Sequence, residues 1–237
     1  MGDFQHHRWD DLLKEAAHAD ANQPQRIAEL CVDMLEVSGA GISLVSDTGA
    51  RGVICATNEV AMRIEELQVT LGEGPCIDAV SGGGPVLVPD LDDRRHLVTA
   101  RWPAFLSAVS AAGVAAVFAF PLRIGVIGLG ALDLYRDSAG GLRDEQLRAA
   151  LLAAEAAALA LLSLQTAEEM GFKFDEGPGS FQPQVHQATG MVMVQAAVTI
   201  EQAFLLLRAR AFASGKSLSD VSADVVGRRL RFDSEDL

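Results

Sequence analysis

The chain has 237 residues, 49% of them hydrophobic and 22% charged, with a formal net charge of -13. That length supports one large domain or two modest ones with a real hydrophobic core, and the acidity excludes a general nucleic-acid coat, because bulk phosphate binding needs cationic surface. The acid is unevenly spread: residues 1–180 hold 13 Lys and Arg against 26 Asp and Glu, whereas residues 181–237 hold 6 against 6, so a neutral tail stays compatible with a local RNA or DNA contact.

The polar N-terminus, M-G-D-F-Q-H-H-R-W-D-D, lacks the apolar core of a signal peptide, and residues 1–24 read as a lead-in containing the helical D-L-L-K-E-A-A-H-A. From Gln25 to Val37, apolar residues at 27, 30, 31, 34, 35 and 37 have the spacing of an amphipathic helix, which Gly39 and Gly41 are expected to close. Two strand-like runs, G-I-S-L-V-S and R-G-V-I-C-A-T, flank the turn D-T-G-A and form a hairpin. Helical spacing returns from Asn58 to Gln68, and Pro75 suits the first turn of a short helix reaching about Ser81. A strand at Val86 to Val88, a helix from Trp102 to Ala112, and strands Val114–Leu122 and Val126–Tyr135 complete an α+β sheet with helices around it. The last strand alternates little, which predicts burial on both faces.

Leu142 to Met170 is a long helix rich in alanine and leucine. Its apolar core, Ala149 to Leu164, is 16 residues long with Glu155 near the middle, short of the roughly 20 apolar residues of a membrane span. A buried or self-associating helix, with no membrane partner, is the expectation. The linker G-F-K-F-D-E-G-P-G-S follows, then three helix patterns with short loops, the signature of a small bundle. The first runs from about Pro183 to Ala197; the second starts at Thr199, with Gln202 at capping-box spacing, and stops at Gly215; the third follows Ser217.

Three cysteines, Cys31, Cys55 and Cys76, make no C-x-x-C pair and no zinc-type spacing, as in a reduced, cytoplasmic protein. No Walker loop, Ser–His–Asp set or metal cluster stands out in the sequence, so the expectation is a protein that is not an enzyme, and no cofactor is specified.

The order of elements and several motifs carry a resemblance. Residues 25–140 resemble a GAF domain of the actinobacterial type, through G-A-G-I-S-L-V, L-G-E-G-P-C-I-D-A-V, the R-W-P-A-F helix and F-A-F-P-L-R-I-G-V-I-G-L-G-A-L-D-L-Y-R. Phe181 to Phe232 is similar to an ANTAR domain, the three-helix RNA-binding output module of bacterial antiterminators, through A-T-G-M-V-M, E-Q-A-F-L-L-L-R-A-R-A and L-S-D-V-S-A-D-V-V. The resemblance implies an α+β GAF-like sensor at 25–140, a connecting and dimerising helix at 141–170, a linker at 171–180 and an all-α three-helix ANTAR bundle at 181–237. It further implies a signal-responsive antitermination regulator. Such a protein would act as a homodimer, take a small-molecule ligand in the GAF cup and bind hairpin loops of nascent RNA.

Within the bundle, Ala188 and Gly190 are expected to leave one helix face slim enough for a phosphate backbone or splayed base to approach. Glycine costs about 1 kcal/mol of helix propensity relative to alanine, so Gly190 calls for a packing or binding reason, and a helix crossing is the alternative. Met191, Met193 and Val194 read as core. The family's first helix often carries a basic residue between the small ones; here Thr189 stands there, able to donate to phosphate without adding charge. His186 and Gln187 suit a loop base. Arg208, in the L-L-R element, is the first choice among the basic candidates, followed by Arg210, Lys216, Arg228, Arg229 and Arg231.

In the sensor, Cys76 lies beside a short helix start, a placement that can lower a thiol pKa, and is the candidate for redox or ligand sensing. Glu73 and Asp78 are expected to face the cup, and Cys55 to be core. The alternatives are a GAF-fold thiol redox enzyme that reduces free methionine sulfoxide, which needs two thiols in reach of each other, and a sensor whose helical tail docks a protein partner.

Overall fold

The computed structural model describes residues 20–46, 49–93, 101–169 and 183–232. Most of the expected lead-in, residues 1–19, and the whole linker 171–180 lie outside the described residues. The helix α1 (Gln23–Leu35) begins on Pro24 in its first turn and ends at Glu36, whose φ of 54° is left-handed. Gly39 and Gly41 do not close this helix but belong to β1 (Gly39–Ser46). Their reason is close approach: a Cβ on Gly41 would stand 2.6 Å from Glu65 Cγ, and one on Gly39 would stand 2.9 Å from Asn58 Nδ2.

The strands β1, β2 (Gly49–Ala56), β3 (Val86–Val88), β4 (Ala116–Ile124) and β5 (Ile127–Arg136) form one antiparallel sheet in the order β2-β1-β5-β4-β3. The register pairs Ile42 with Leu132 and Phe118 with Leu134, and side-chain alternation then gives the sheet two faces. Ile42, Leu44, Leu132, Leu134, Phe118, Phe120 and Leu122 meet α1 and the long helix α5 (Asp144–Glu169) in one core cluster. The other face lies beneath α2 (Glu59–Leu71), α3 (Pro75–Gly82) and α4 (Pro103–Ala111), with Trp102, Phe105 and Tyr135 fully buried there. β5 is buried on both sides from Gly130 to Tyr135, as its weak alternation predicted.

The helix α5 presents alanines to this core: Ala150, Ala153, Ala154, Ala156, Ala157 and Ala160 are buried, which lets the helix lie close on the sheet. Within the 21 residues Asp144–Leu164 it holds an 18-residue window apolar enough to cross a membrane, with a mean hydropathy of 1.8, but 44% of that window is buried inside the protein. Its outer side carries Leu151, Leu159 and Leu162, all partly exposed to solvent.

The C-terminal region is a bundle of α6 (Pro183–Ala196), α7 (Ile200–Ser214) and α8 (Leu218–Val226). The predicted capping box is present, Thr199 accepting from the Gln202 amide and Gln202 accepting from the Thr199 amide. Gly215 ends α7 at a left-handed φ of 63°, and Ser217 caps α8 by accepting from the Asp220 amide at 3.0 Å. Val185, Ala188, Val192, Ala203, Leu207, Ala211, Val221 and Val225 fill the bundle core.

Candidate functional site

The helical period of α6 decides which of its residues meet solvent. Ala188 is fully buried in the bundle and Thr189 nearly so, its hydroxyl donating to the Val185 carbonyl at 2.6 Å. Ala188 and Gly190 therefore do not share a face, because two residues apart on a helix means roughly opposite sides. The Thr189 hydroxyl is engaged within its own helix. Gly190 looks outward, and a Cβ built on it meets nothing within 4 Å, so no helix crossing among the described residues requires the glycine. Gln187 is exposed beside it. Met193 and Val194, expected in the core, stand on this outer face instead, Val194 at 75% exposure; only Met191 packs against the bundle core. The result is a slim solvent-facing ridge of Gln187, Gly190, Met193 and Val194.

The basic candidates separate into three groups. Arg210 and Arg228 are exposed and form no ion pair among the described residues. Lys216 and Arg229 both reach Asp224, each at 2.8 Å, and together they hold that carboxyl below its usual range. Both remain largely exposed, and surface pairs of this kind contribute little stability and yield readily to another anion. The Phe232 amide donates to Gln195 Oε1 at 3.0 Å, which returns the segment bearing Arg228, Arg229 and Arg231 alongside the end of α6. Arg208 differs. It is half-buried, and its Nε donates to the Thr70 carbonyl of α2, in the N-terminal domain, at 2.9 Å.

In the N-terminal domain, Glu73 and Asp78, expected to face the cup, both carry hydrogen bonds that hold the fold together. Glu73 Oε1 accepts from the Ala104 and Phe105 amides, both at 2.8 Å, and so caps α4; Asp78 accepts from Trp102 Nε1 at 3.0 Å and from Arg101 at 3.1 Å. Both carboxylates fasten the start of α4 to the segment around α3. Cys76 is fully buried, and the short helix start does not lower its thiol: burial, then the nearby Asp133 and Glu65 carboxyls, push it well above the ordinary value. Burial also pushes Cys31 up to about 12 and raises Cys55. Cys31 and Cys55 share the α1–α5 side of the sheet, while Cys76 sits on the α2–α3 side.

The sequence reading missed a buried polar cluster on that second side. Ser43 donates to Glu65 Oε2 and Tyr135 donates to Glu65 Oε1. Gln68 Nε2 donates to Asp133 Oδ2 at 2.6 Å, and the Cys76 amide donates to Gln68 Oε1 at 2.9 Å. Ser43, Glu65, Gln68, Asp133 and Tyr135 are all essentially inaccessible, and Asp133 Oδ1 has no hydrogen-bond partner among the described residues. Burial raises both carboxyl pKa values, Asp133 also through the Glu65 charge. The signal was legible in principle. Glu65 and Gln68 fall on the same helical stripe as Ala61, Ile64 and Val69, and Asp133 interrupts a strand that reads as buried on both faces.

The GAF domain model matches residues 25–162 and the ANTAR domain model matches residues 182–226. The GAF domain from an Acinetobacter phosphoenolpyruvate-protein phosphotransferase superposes with a TM-score of 0.53 at 12% identity, covering 74% of this chain and 100% of that one. The chromophore-binding domain of an unusual bacteriophytochrome from R. palustris gives a TM-score of 0.50 at 11% identity, covering 67% of this chain and 61% of that one. At such identities the likeness shows the fold alone. A type II free methionine-R-sulfoxide reductase from Thermoplasma acidophilum also matches, at a TM-score of 0.39 and 16% identity over 65% of this chain and 96% of that one, too loosely to bear on chemistry. No curated protein matches the chain.

Proposed function

The chain belongs to the GAF domain family and carries an ANTAR domain at its C-terminal end, and from that premise we propose that it is a signal-responsive, RNA-binding regulator of transcription antitermination. Both matched domains are regulatory types, so a sensor with a regulatory output is the part of this reading that stands on the family matches. The finer claim is that the bundle grips hairpin loops of nascent transcripts in the cytoplasm. The observation that carries it is Gly190: a mid-helix glycine where an added Cβ would meet nothing among the described residues. Such a residue costs helix stability of about 1 kcal/mol, and close approach by another molecule gives the cost a purpose. Arg210, Lys216 and Arg228 supply exposed cations for the phosphates, and Gln187 a group for a loop base.

For the sensor, the reading centres on the buried cluster of Glu65, Gln68, Asp133 and the Cys76 main chain, where a small ligand would replace internal hydrogen bonds. The exposed leucines of α5, Leu151, Leu159 and Leu162, support pairing with a second copy that sets the spacing of two bundles. A gel shift with a twin-hairpin transcript tests the RNA reading. Binding should weaken with salt, and should be lost in Gly190→Glu and reduced in Arg210→Ala. Salt-independent binding, or full binding by Gly190→Glu, would reject it.

A second reading rests on a specific feature of the same ridge, the apolar exposure of Met193 and Val194. These side chains suit a protein partner docking on the tail. Absence of RNA binding together with stoichiometric, Val194-dependent capture of a protein would select this reading.

A further inference from the structure

Arg208 carries an arrangement that the RNA reading does not use. Its Nε bonds the carbonyl of Thr70 in the last turn of α2, at 2.9 Å. Its guanidinium lies directly over Gly72, where a Cβ would stand 1.8 Å from Nη2 and 2.6 Å from Cζ. Gly72 closes α2 at a left-handed φ of 67°, so two separate reasons select glycine there: the backbone conformation and the arginine above it. The cation thus sits at the C-terminal, partially negative end of a helix, where unsatisfied carbonyls favour positive charge. No ion pair among the described residues involves it, and burial opposes its charge by lowering its pKa.

The contact extends through an apolar seam. Val69 of α2 is buried in the same cluster as Leu207, Ala211 and Val225 of the bundle, with Met62 and Phe204 packed against it. Phe204 precedes Arg208 by one turn of α7. On the sensor side, the anchor is tied to the buried polar cluster. The Gly72 amide donates to the Gln68 carbonyl at 2.9 Å, while the Gln68 side chain holds Asp133 and the Cys76 amide.

We propose that Arg208 is a latch that holds the three-helix bundle closed on the end of α2 and, while closed, restrains RNA binding by the bundle. The restraint rests on the RNA reading above; the latch itself does not. In the closed form the arginine is withheld from phosphate, and opening returns it to the solvent-facing cations of the bundle.

Hydrogen exchange on the full chain measures the docking without RNA, as protection of the α7 amides and of the last turn of α2. Arg208→Met keeps much of the side-chain volume and removes the donor; Gly72→Ala keeps the arginine and drives it off Thr70. Loss of one charge-assisted hydrogen bond should shift the closed-to-open ratio about tenfold, read as faster exchange in α7 and a larger radius of gyration, with β1 and β5 unchanged. Unaltered α7 exchange in Arg208→Met overturns the latch. Gly72→Ala also strains a left-handed φ, so if β1 and β5 lose protection in it, Arg208→Met alone decides. Gly72→Ala should also bind a twin-hairpin transcript about tenfold more tightly than the unmodified chain; equal affinity from an opened protein overturns the restraint. If neither protein binds RNA, the RNA reading fails, and the exchange data still decide the latch.

Discussion

Glu65 on α2 and Asp133 on β5 meet inside the sensor, both fully buried, and each carboxyl is pushed upward because burial penalises its charge. Two carboxylates this close cannot both ionise cheaply, so the pair retains a proton that free carboxyls would release. Ser43 and Tyr135 donate to Glu65, which favours its charged form and leaves Asp133 as the carboxyl that holds the proton. Folded-state pKa values above the unfolded ones give a stability contribution that is full below the unfolded pKa, about 4, and fades as pH rises through the folded values.

Asp133→Asn keeps an acceptor for Gln68 and a permanent donor towards Glu65 while removing one ionisation. At neutral pH it should raise stability by about 1 kcal/mol, or roughly 2–4 °C in Tm for a chain of this size. The gain should shrink at pH 4, where the unmodified pair is protonated. A thermal melt series from pH 4 to 8 checks this, and a constant offset across that range would contradict it. Glu65→Ala, by contrast, strands Ser43 and Tyr135 and should cost about 2–4 kcal/mol.

Gly190 separates stability from binding. Because a Cβ there enters open space, Gly190→Ala should stabilise the bundle by up to about 1 kcal/mol through helix propensity. RNA affinity should hold or fall in the same variant, and should collapse in Gly190→Glu. A destabilised Gly190→Ala would show that something packs against this face in solution.

Thr189 supplies a control on the same helix. Its hydroxyl already bonds the Val185 carbonyl and is buried, so Thr189→Val should leave RNA binding within about twofold and change stability by about 1 kcal/mol at most. A marked loss of RNA affinity would mean that this hydroxyl leaves its helix to reach phosphate.

The three thiols should be inert in the folded protein. Burial raises all of them, Cys76 most plainly in the company of Asp133 and Glu65, and the thiolate is the reactive form. Alkylation at pH 7.5 should label none of them on the timescale that labels all three in denaturant. Rapid, selective labelling of Cys76 would restore it as a redox sensor.

Pairing through α5 is measurable by light scattering at micromolar concentration. The unmodified chain should run as a dimer, and Leu159→Glu, which places a charge on the exposed apolar side of the helix, should shift it to monomer. A monomeric unmodified chain would remove the dimer from the proposal.

Local pattern in the sequence determined much of this architecture. The period-3.6 and period-2 runs specified the helices and strands, Thr199 and Gln202 specified the start of α7, and the doubly apolar run specified β5 as an interior strand. The same period contained the inward placement of Ala188 and the outward placement of Gly190, since helix geometry alone separates them. What only the tertiary structure decided are the partnerships made across elements far apart in the chain. Glu65 and Gln68 meet Asp133 more than sixty residues later, Glu73 caps α4, and Arg208 rests on Thr70 and Gly72 across 138 and 136 positions. An arginine on an amphipathic helix looks the same in sequence whether it meets water, phosphate or a carbonyl, because its charge and stem suit all three. Only the docking of the bundle against the end of α2 selects among them.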